Sequence, residues 1–218
     1  MYSILESMRN NSLLIFLLLL SGYTSLVWLN NFFILTEDLY YSSFGEQLTI
    51  EKIEQLFSFQ TEFSWISYIV MSLSILIKTT IITLVIYTGV ILSSLKVGLS
   101  RLFRIVIQAE FIFLLMGFVR FCWIYFFQTD VNVTTLGFFQ PLSIINFFSP
   151  ADDLSYLVYP LQLINLFEFS YWLLLAYLLK NLLKKTYWQS FEFVLSTYGV
   201  GLVIWIVFVT FLTLNFSS

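Results

Sequence analysis

The chain has 218 residues, 59% hydrophobic and 11% charged, with a net charge of −3 and no histidine. A soluble domain carries about 25% charged residues, so a water-soluble globular protein is excluded. The missing histidine excludes imidazole proton transfer and His-ligated metals. The apolar runs are continuous rather than alternating, which excludes a barrel and predicts an all-α, polytopic membrane bundle.

Residues 1–12 form a mildly polar arm with Arg9, followed by a first span at 13–35. The apolar stretch 13–20 resembles a signal-peptide core, but the run continues without a small-x-small cleavage site, so a retained span is expected. Within it, Ser21 and Ser25 form a small-xxx-small pair of the kind that lets helices approach closely, or are ordinary tolerated serines. Residues 36–62 carry Glu37, Asp38, Glu46, Glu51, Glu54 and Glu62 against the single base Lys52. Thr49 suits an N-cap and Glu51 a first turn, and Ile50, Ile53, Leu56 and Phe57 recur at helical spacing. This predicts a short amphipathic helix on the interface or on the bundle.

The second span, 63–92, is rich in hydroxyls (Ser72, Ser74, Thr79, Thr80, Thr83, Thr88) and holds Lys78 near its middle. So many polar side chains predict a helix facing other helices. A short basic loop with Lys96, Arg101 and Arg104 leads into the third span, 105–127, which contains Glu110 and Arg120. Ten residues separate these two, about 15 Å along a helix, so they cannot pair with each other. The single Cys122 is expected as a small buried hydrophobe and can form no intramolecular disulfide.

Residues 128–153 form a second acidic loop, with Asp130, Asp152 and Asp153. Its middle, 136–148, is apolar but interrupted by Gly137, Pro141 and Asn146, too short to span and so interfacial or re-entrant. Ser149, Pro150 and Asp152 predict a helix start, and Pro160 a kink or restart. The fourth span is placed at 156–179, with Lys180, Lys184 and Lys185 behind it. The fifth is placed at 191–214, with Gly199 and Gly201 as small packing positions.

Orientation follows from the basic residues. With the N-terminus inside, Arg9, Lys96, Arg101, Arg104, Lys180, Lys184 and Lys185 all lie on the inner side, and only Lys52 lies outside. The positive-inside rule then holds for every loop and puts the C-terminus outside. The basic loops need no nucleic-acid partner to explain them. Tyr23, Trp28, Trp65, Trp123 and Tyr159 fall near the outer interface, as an aromatic belt should. The Phe-, Ile- and Asn-rich, Ala-poor composition points to an AT-rich bacterial genome and hence to a bacterial cytoplasmic (inner) membrane.

Four charged residues fall within the spans: Lys78, Glu110, Arg120 and Glu168. Each costs about 2.5–3.5 kcal/mol at mid-membrane on insertion scales, so each should face the bundle interior and find a partner. From their depths, Glu168 is expected to pair with Arg120 or Lys78. Glu110 is expected to meet Lys96, Arg101 or Arg104 snorkelling from the inner face. Such charges either line a polar pathway, dock a partner, or lock helix register. The chain has no GxSxG, P-loop, HExxH or CxxC pattern, so no catalytic, cofactor-binding or metal-ligating residue is expected.

The run Asn165-Leu166-Phe167-Glu168, then Tyr171-Trp172-Leu173-Leu174-Leu175-Ala176, and the basic turn into Phe191 resemble the C-terminal part of the Yip family of five-span membrane proteins. The turn from Lys96 to Arg104 fits as well, and the resemblance covers about residues 92–214. Asp38-Leu39-Tyr40-Tyr41 matches part of the family's Asp-Leu-Tyr-Gly-Pro motif. The resemblance implies five helices, an inside N-terminus and an outside C-terminus. Eukaryotic members have a long cytosolic N-terminal region and act in vesicle traffic with small GTPases, whereas bacterial relatives have no assigned common activity.

Two functional expectations follow. The first is a non-enzymatic integral membrane subunit or scaffold, lending helices and outer-loop contacts to other membrane proteins of a larger inner-membrane assembly. The alternative is a small transporter or channel that passes a small solute or ion by way of Lys78, Arg120 and Glu168.

Overall fold

The computed structural model describes residues 12–128, 131–148 and 155–216. Arg9, Asp130 and the helix-start signature of Ser149, Pro150 and Asp152, with Asp153, lie outside the described residues. The described chain is helical: α1 (Ser12–Phe33), α2 (Glu37–Phe44), α3 (Ile50–Glu62), α4 (Ser64–Leu92), α5 (Leu99–Ala109), α6 (Phe111–Phe127), α7 (Val133–Phe138), α8 (Ser155–Leu163), α9 (Leu166–Leu183), α10 (Tyr187–Val194) and α11 (Val200–Phe216). A 3-10 turn spans Ile144–Phe147, and a π turn at Leu195–Gly199 joins α10 to α11.

Five runs are long and apolar enough to cross a membrane: Ser12–Phe33, Ser64–Leu92, Leu99–Phe127, Leu166–Leu183 and Tyr187–Asn215. The chain is thus a multi-pass membrane protein. The first two runs match the expected positions closely. The third begins at Leu99, inside the expected basic loop. There Gly98 takes the N-cap position, and Leu102, Val106 and Ile107 are buried on one face of α5 while Arg101 stays exposed. This run is also not one continuous helix, because Glu110 forms a turn between α5 and α6.

The fourth span differs most from expectation. Pro160 sits inside α8 and ends nothing; the helix breaks at Ile164–Asn165. Asn165 adopts extended backbone (φ −139°, ψ 162°), and its side-chain oxygen accepts the Glu168 N–H at 2.8 Å, which starts α9 afresh. Its side-chain amide donates back to the Gln162 carbonyl at 2.8 Å. One residue therefore ends one helix and caps the next.

The 136–148 segment folds against this break. Ser143 and Asn165 form an isolated antiparallel bridge, with Ile144 N–H donating to the Ile164 carbonyl and Leu166 N–H to the Leu142 carbonyl. Leu142 takes a left-handed conformation (φ 53°), uncommon for a branched side chain, to present that carbonyl. Ser143 donates to the Leu161 carbonyl at 2.7 Å, and Ile145 is fully buried.

Two clusters make the core. Ile86 and Val90 of α4, Leu102 and Val106 of α5, Tyr171, Leu175 and Leu179 of α9, and Val194 form the larger. Leu19 and Leu26 of α1, Ile75, Ile107, Leu114 and Phe121 form the second. Helix α5 borders both. Where lipid gives no hydrophobic drive, close approach of small residues holds helices together. That approach occurs at Gly89, where an added Cβ would lie 2.0 Å from Thr197 Cγ2, and at Gly201, 2.9 Å from Val85 Cγ1. At Gly199 the nearest atom, on Trp172, would be at an ordinary 3.6 Å. Ser21 and Ser25 are exposed and bond their own helix, to the Leu18 and Ser21 carbonyls; the close approach on α1 is at Gly22 against Leu114. Cys122 is exposed rather than buried.

The hydroxyls of α4 do not all face other helices. Thr79 and Thr83 are buried, whereas Ser74, Thr80 and Thr88 are exposed. Thr79, Thr80, Thr83 and Thr88 each donate to the carbonyl four residues back, so an outward hydroxyl is satisfied by its own helix. The amphipathic helix after Thr49 is present as α3. Ile53 is its buried contact, Phe57 packs on Tyr40 of α2, and Ile50 and Leu56 are exposed.

Candidate functional site

Between α4, α6, α8, α9 and α11 lies a cavity of about 700 Å³. Lys78, Arg120 and Glu168, each from a different helix, line it together with Gln140, Tyr159, Gln162, Asn165 and Tyr198. Glu110 sits just behind the wall.

Lys78 reaches Glu110, not Glu168. Its Nζ is 3.0 Å from Glu110 Oε2 and 3.5 Å from the centroid of the Phe113 ring, a cation–π contact. The Glu110 side chain is 1% exposed and the Lys78 side chain 42%. The acid is thus sealed in the protein while the ammonium borders the cavity. Glu110 keeps right-handed helical backbone (φ −58°, ψ −19°), and its carboxylate reaches α4 from the junction of α5 and α6. The expected partners Lys96, Arg101 and Arg104 take no part; Arg104 Nε donates instead to Ser12 Oγ at 3.0 Å. Glu110 Oε1 and the Tyr171 hydroxyl interact across a short gap but fall outside hydrogen-bonding geometry, and both are buried.

Glu168 has no basic partner among the described residues. Its Oε1 accepts from Trp172 Nε1 at 2.8 Å, one turn along α9, and from the Tyr198 hydroxyl at 2.7 Å, from the π turn. Because α9 starts at Leu166, Glu168 lies in the first turn of a new helix, where the helix dipole favours a negative charge. The capped restart, which an uninterrupted span would lack, is why the carboxylate needs no cation. Glu168 Oε2 accepts no hydrogen bond from the described residues and faces the cavity.

Arg120 has no acidic partner among the described residues. Its guanidinium donates to the Leu136 carbonyl, and its Nε is buried without an acceptor. Gln162 Nε2 holds the same segment, donating to the Gly137 carbonyl at 2.8 Å and the Phe138 carbonyl at 3.1 Å. Gln140 Nε2 lies 3.1 Å from Met116 Sδ. The 136–148 segment thus closes one side of the cavity, tied to α6 and α8 by side-chain bonds to its carbonyls.

The four charges accordingly divide. Lys78 and Glu110 form a lock between α4 and the α5–α6 turn. Arg120 and Glu168 stand on the wall of one cavity without counter-charges among the described residues. Sequence reasoning missed Gln140, Gln162, Trp172 and Tyr198, neutral residues that carry no cost signal. Asn165 and Glu168 do have the spacing of a capping pair, which could have located the restart. Tyr23 and Tyr159, assigned to an interfacial belt, line the cavity instead, and Tyr159 accepts from Trp205 Nε1 at 2.7 Å.

Searches of protein families, curated proteins and solved structures find no match to this chain.

Proposed function

We propose that this chain is a non-enzymatic membrane protein that binds a small polar or charged solute between its helices and carries it through the membrane. The observation behind this reading is that Arg120, within the third apolar run, and Glu168, in the first turn of the fourth, line one cavity, each without a counter-charge among the described residues. Intramembrane charges that serve only packing are paired, and an unpaired one at that depth marks a solute or ion path. The break at Ile164–Asn165, just ahead of the fourth apolar run, adds support, because Asn165 and the neighbouring Gln162 line the cavity.

Reconstitution into vesicles tests it. Fluxes of protons, alkali cations, amino acids and small carboxylates are compared between the native chain and Glu168→Gln. At least one flux should require the native carboxylate, with folding unchanged. Equal fluxes across the panel would remove the reading.

A second reading, the membrane subunit or scaffold, has its own support. Helix α3 leaves Ile50, Leu56 and Phe59 exposed beside α2, a face suited to another membrane protein. Stoichiometric co-purification with other membrane proteins is its expected result; a monomer after mild detergent extraction counts against it. Membership among Yip-like proteins, the bacterial inner membrane and the inside N-terminus belong with these readings as proposals, resting on the motif run and on the basic loops.

A further inference from the structure

We infer that the ligand of this cavity is an amphiphile with an anionic head group, admitted sideways from the bilayer between α4 and α11. This deepens the proposed solute-binding reading and rests on it.

The first ground is where the cavity opens. Helices α4 and α11 touch at Val85 and Gly201, where an added Cβ would lie 2.9 Å away. Away from that contact both helices still line the cavity, with Ile77 and Ile81 on one side and Trp205 on the other. These three are 57%, 47% and 44% exposed, so they form the rim of a mouth on the outer face of the bundle. Both helices belong to runs able to cross a membrane, so this rim meets hydrocarbon rather than water. The α11 side is held by the bond from Trp205 to Tyr159 of α8, which leaves the gap on the α4 side.

The second ground is the polarity gradient. Ile77, Ile81 and Trp205 make the rim largely apolar beside Ser74 and Lys78, whereas the interior holds Arg120, Gln140, Gln162 and Glu168. A water-soluble ion would have no reason to pass an apolar rim. A molecule dissolved in the bilayer would place its chain there and its head group inside.

The third ground is charge. Arg120 is a permanent cation with five N–H donors, of which the described residues engage the one facing Leu136 and leave Nε–H without an acceptor. A cavity-lining guanidinium without a carboxylate among the described residues is a seat for phosphate or carboxylate. Lys78, already balanced by Glu110, adds no net charge. Glu168 offers an acceptor to a hydroxyl or ammonium elsewhere on the same head group.

The experiment uses the full-length chain in a mild detergent and counts bound ligand by native mass spectrometry. The probes are dioleoyl phosphatidylglycerol, dioleoylglycerol, which lacks the phosphate, and glycerol 3-phosphate, which lacks the chains. One phosphatidylglycerol should bind per chain, and the other two probes should not. Arg120→Gln should weaken binding by at least about tenfold, the scale of losing one charge-assisted contact. The exposed basic change Arg101→Gln should leave it unaltered. Ile81→Trp, which fills the rim without touching a polar group, should also weaken binding at unchanged thermal stability. That variant keeps the test decisive should Arg120→Gln fail to fold. Equal binding by the native, Arg120→Gln and Ile81→Trp chains would overturn the inference. Arg120-dependent binding of glycerol 3-phosphate as tight as that of the lipid would also overturn it, while leaving the solute-binding reading intact. Equal fluxes for the native and Glu168→Gln chains together with absence of lipid binding would end both.

Discussion

Lys78 and Glu110 come within 3.0 Å of each other across two helices, at the point where the third run interrupts its helix. Glu110 keeps helical backbone (φ −58°, ψ −19°), so the ion pair ties α4 to a nearly continuous α5–α6 run. Removing one member of a buried pair leaves the other uncompensated, at a cost of about 3–5 kcal/mol. Lys78→Met or Glu110→Gln alone should therefore destabilise the fold strongly. The double variant Lys78→Met/Glu110→Leu should recover most of the loss. Unfolding in bicelles measures this, and a double variant as unstable as the sum of the singles would mean that the pair does not act as a unit.

The crossing of α4 with the π turn depends on Gly89. With Thr197 Cγ2 only 2.0 Å from the position of an added Cβ, Gly89→Ala should cost about 1–3 kcal/mol through overpacking. Thr197→Ser removes that methyl and keeps the hydroxyl bonded to the Phe193 carbonyl, so it should rescue Gly89→Ala. Gly137→Ala, with open space around it, should be neutral. Thermal denaturation in detergent distinguishes the three.

Asn165 acts as both acceptor and donor. Asn165→Asp keeps the cap on the Glu168 N–H but loses the donation to Gln162, whereas Asn165→Leu loses both. The leucine variant should lose about 1–2 kcal/mol, on the scale of a helix cap. The aspartate variant should fall between it and the native chain. Equal stability of all three would show that the restart of α9 is held by Leu142 and Ser143 alone.

Much of this architecture was legible in the residues. Continuous apolar runs place five helices, because length and hydropathy alone decide whether a helix can span. The places where helices stop within a run were not legible. Glu110 carries no breaker signal, and the true restart at Asn165 lies beside a proline that draws attention to itself and does nothing of the kind. The gathering of Lys78, Arg120 and Glu168 was foreseeable from their cost. Their partners were not, because depth along a span says nothing of bearing around it. A capped restart such as that at Asn165, with its extended backbone, changes that bearing by a large angle.

Membrane orientation has a direct test. In a Cys122→Ser background, Glu54→Cys should react with an impermeant maleimide in intact cells, and Lys96→Cys only after permeabilisation. The basic loops would then be cytoplasmic, as the distribution of lysine and arginine predicts. The opposite pattern would invert the bundle and put the Ser143–Asn165 bridge on the inner side.

The π turn at Leu195–Gly199 carries one residue more than an α-helical turn needs. That residue is a phase shift of about 100° between the chain before and after it. It lets Ser190, Val194 and Tyr198 face the core while Trp205 arrives at the rim. The length of this one turn is thus a marker by which descendants of the same ancestor can be sorted. A relative shorter by a single residue here would present another side chain where Trp205 stands, however well the rest of its helices align.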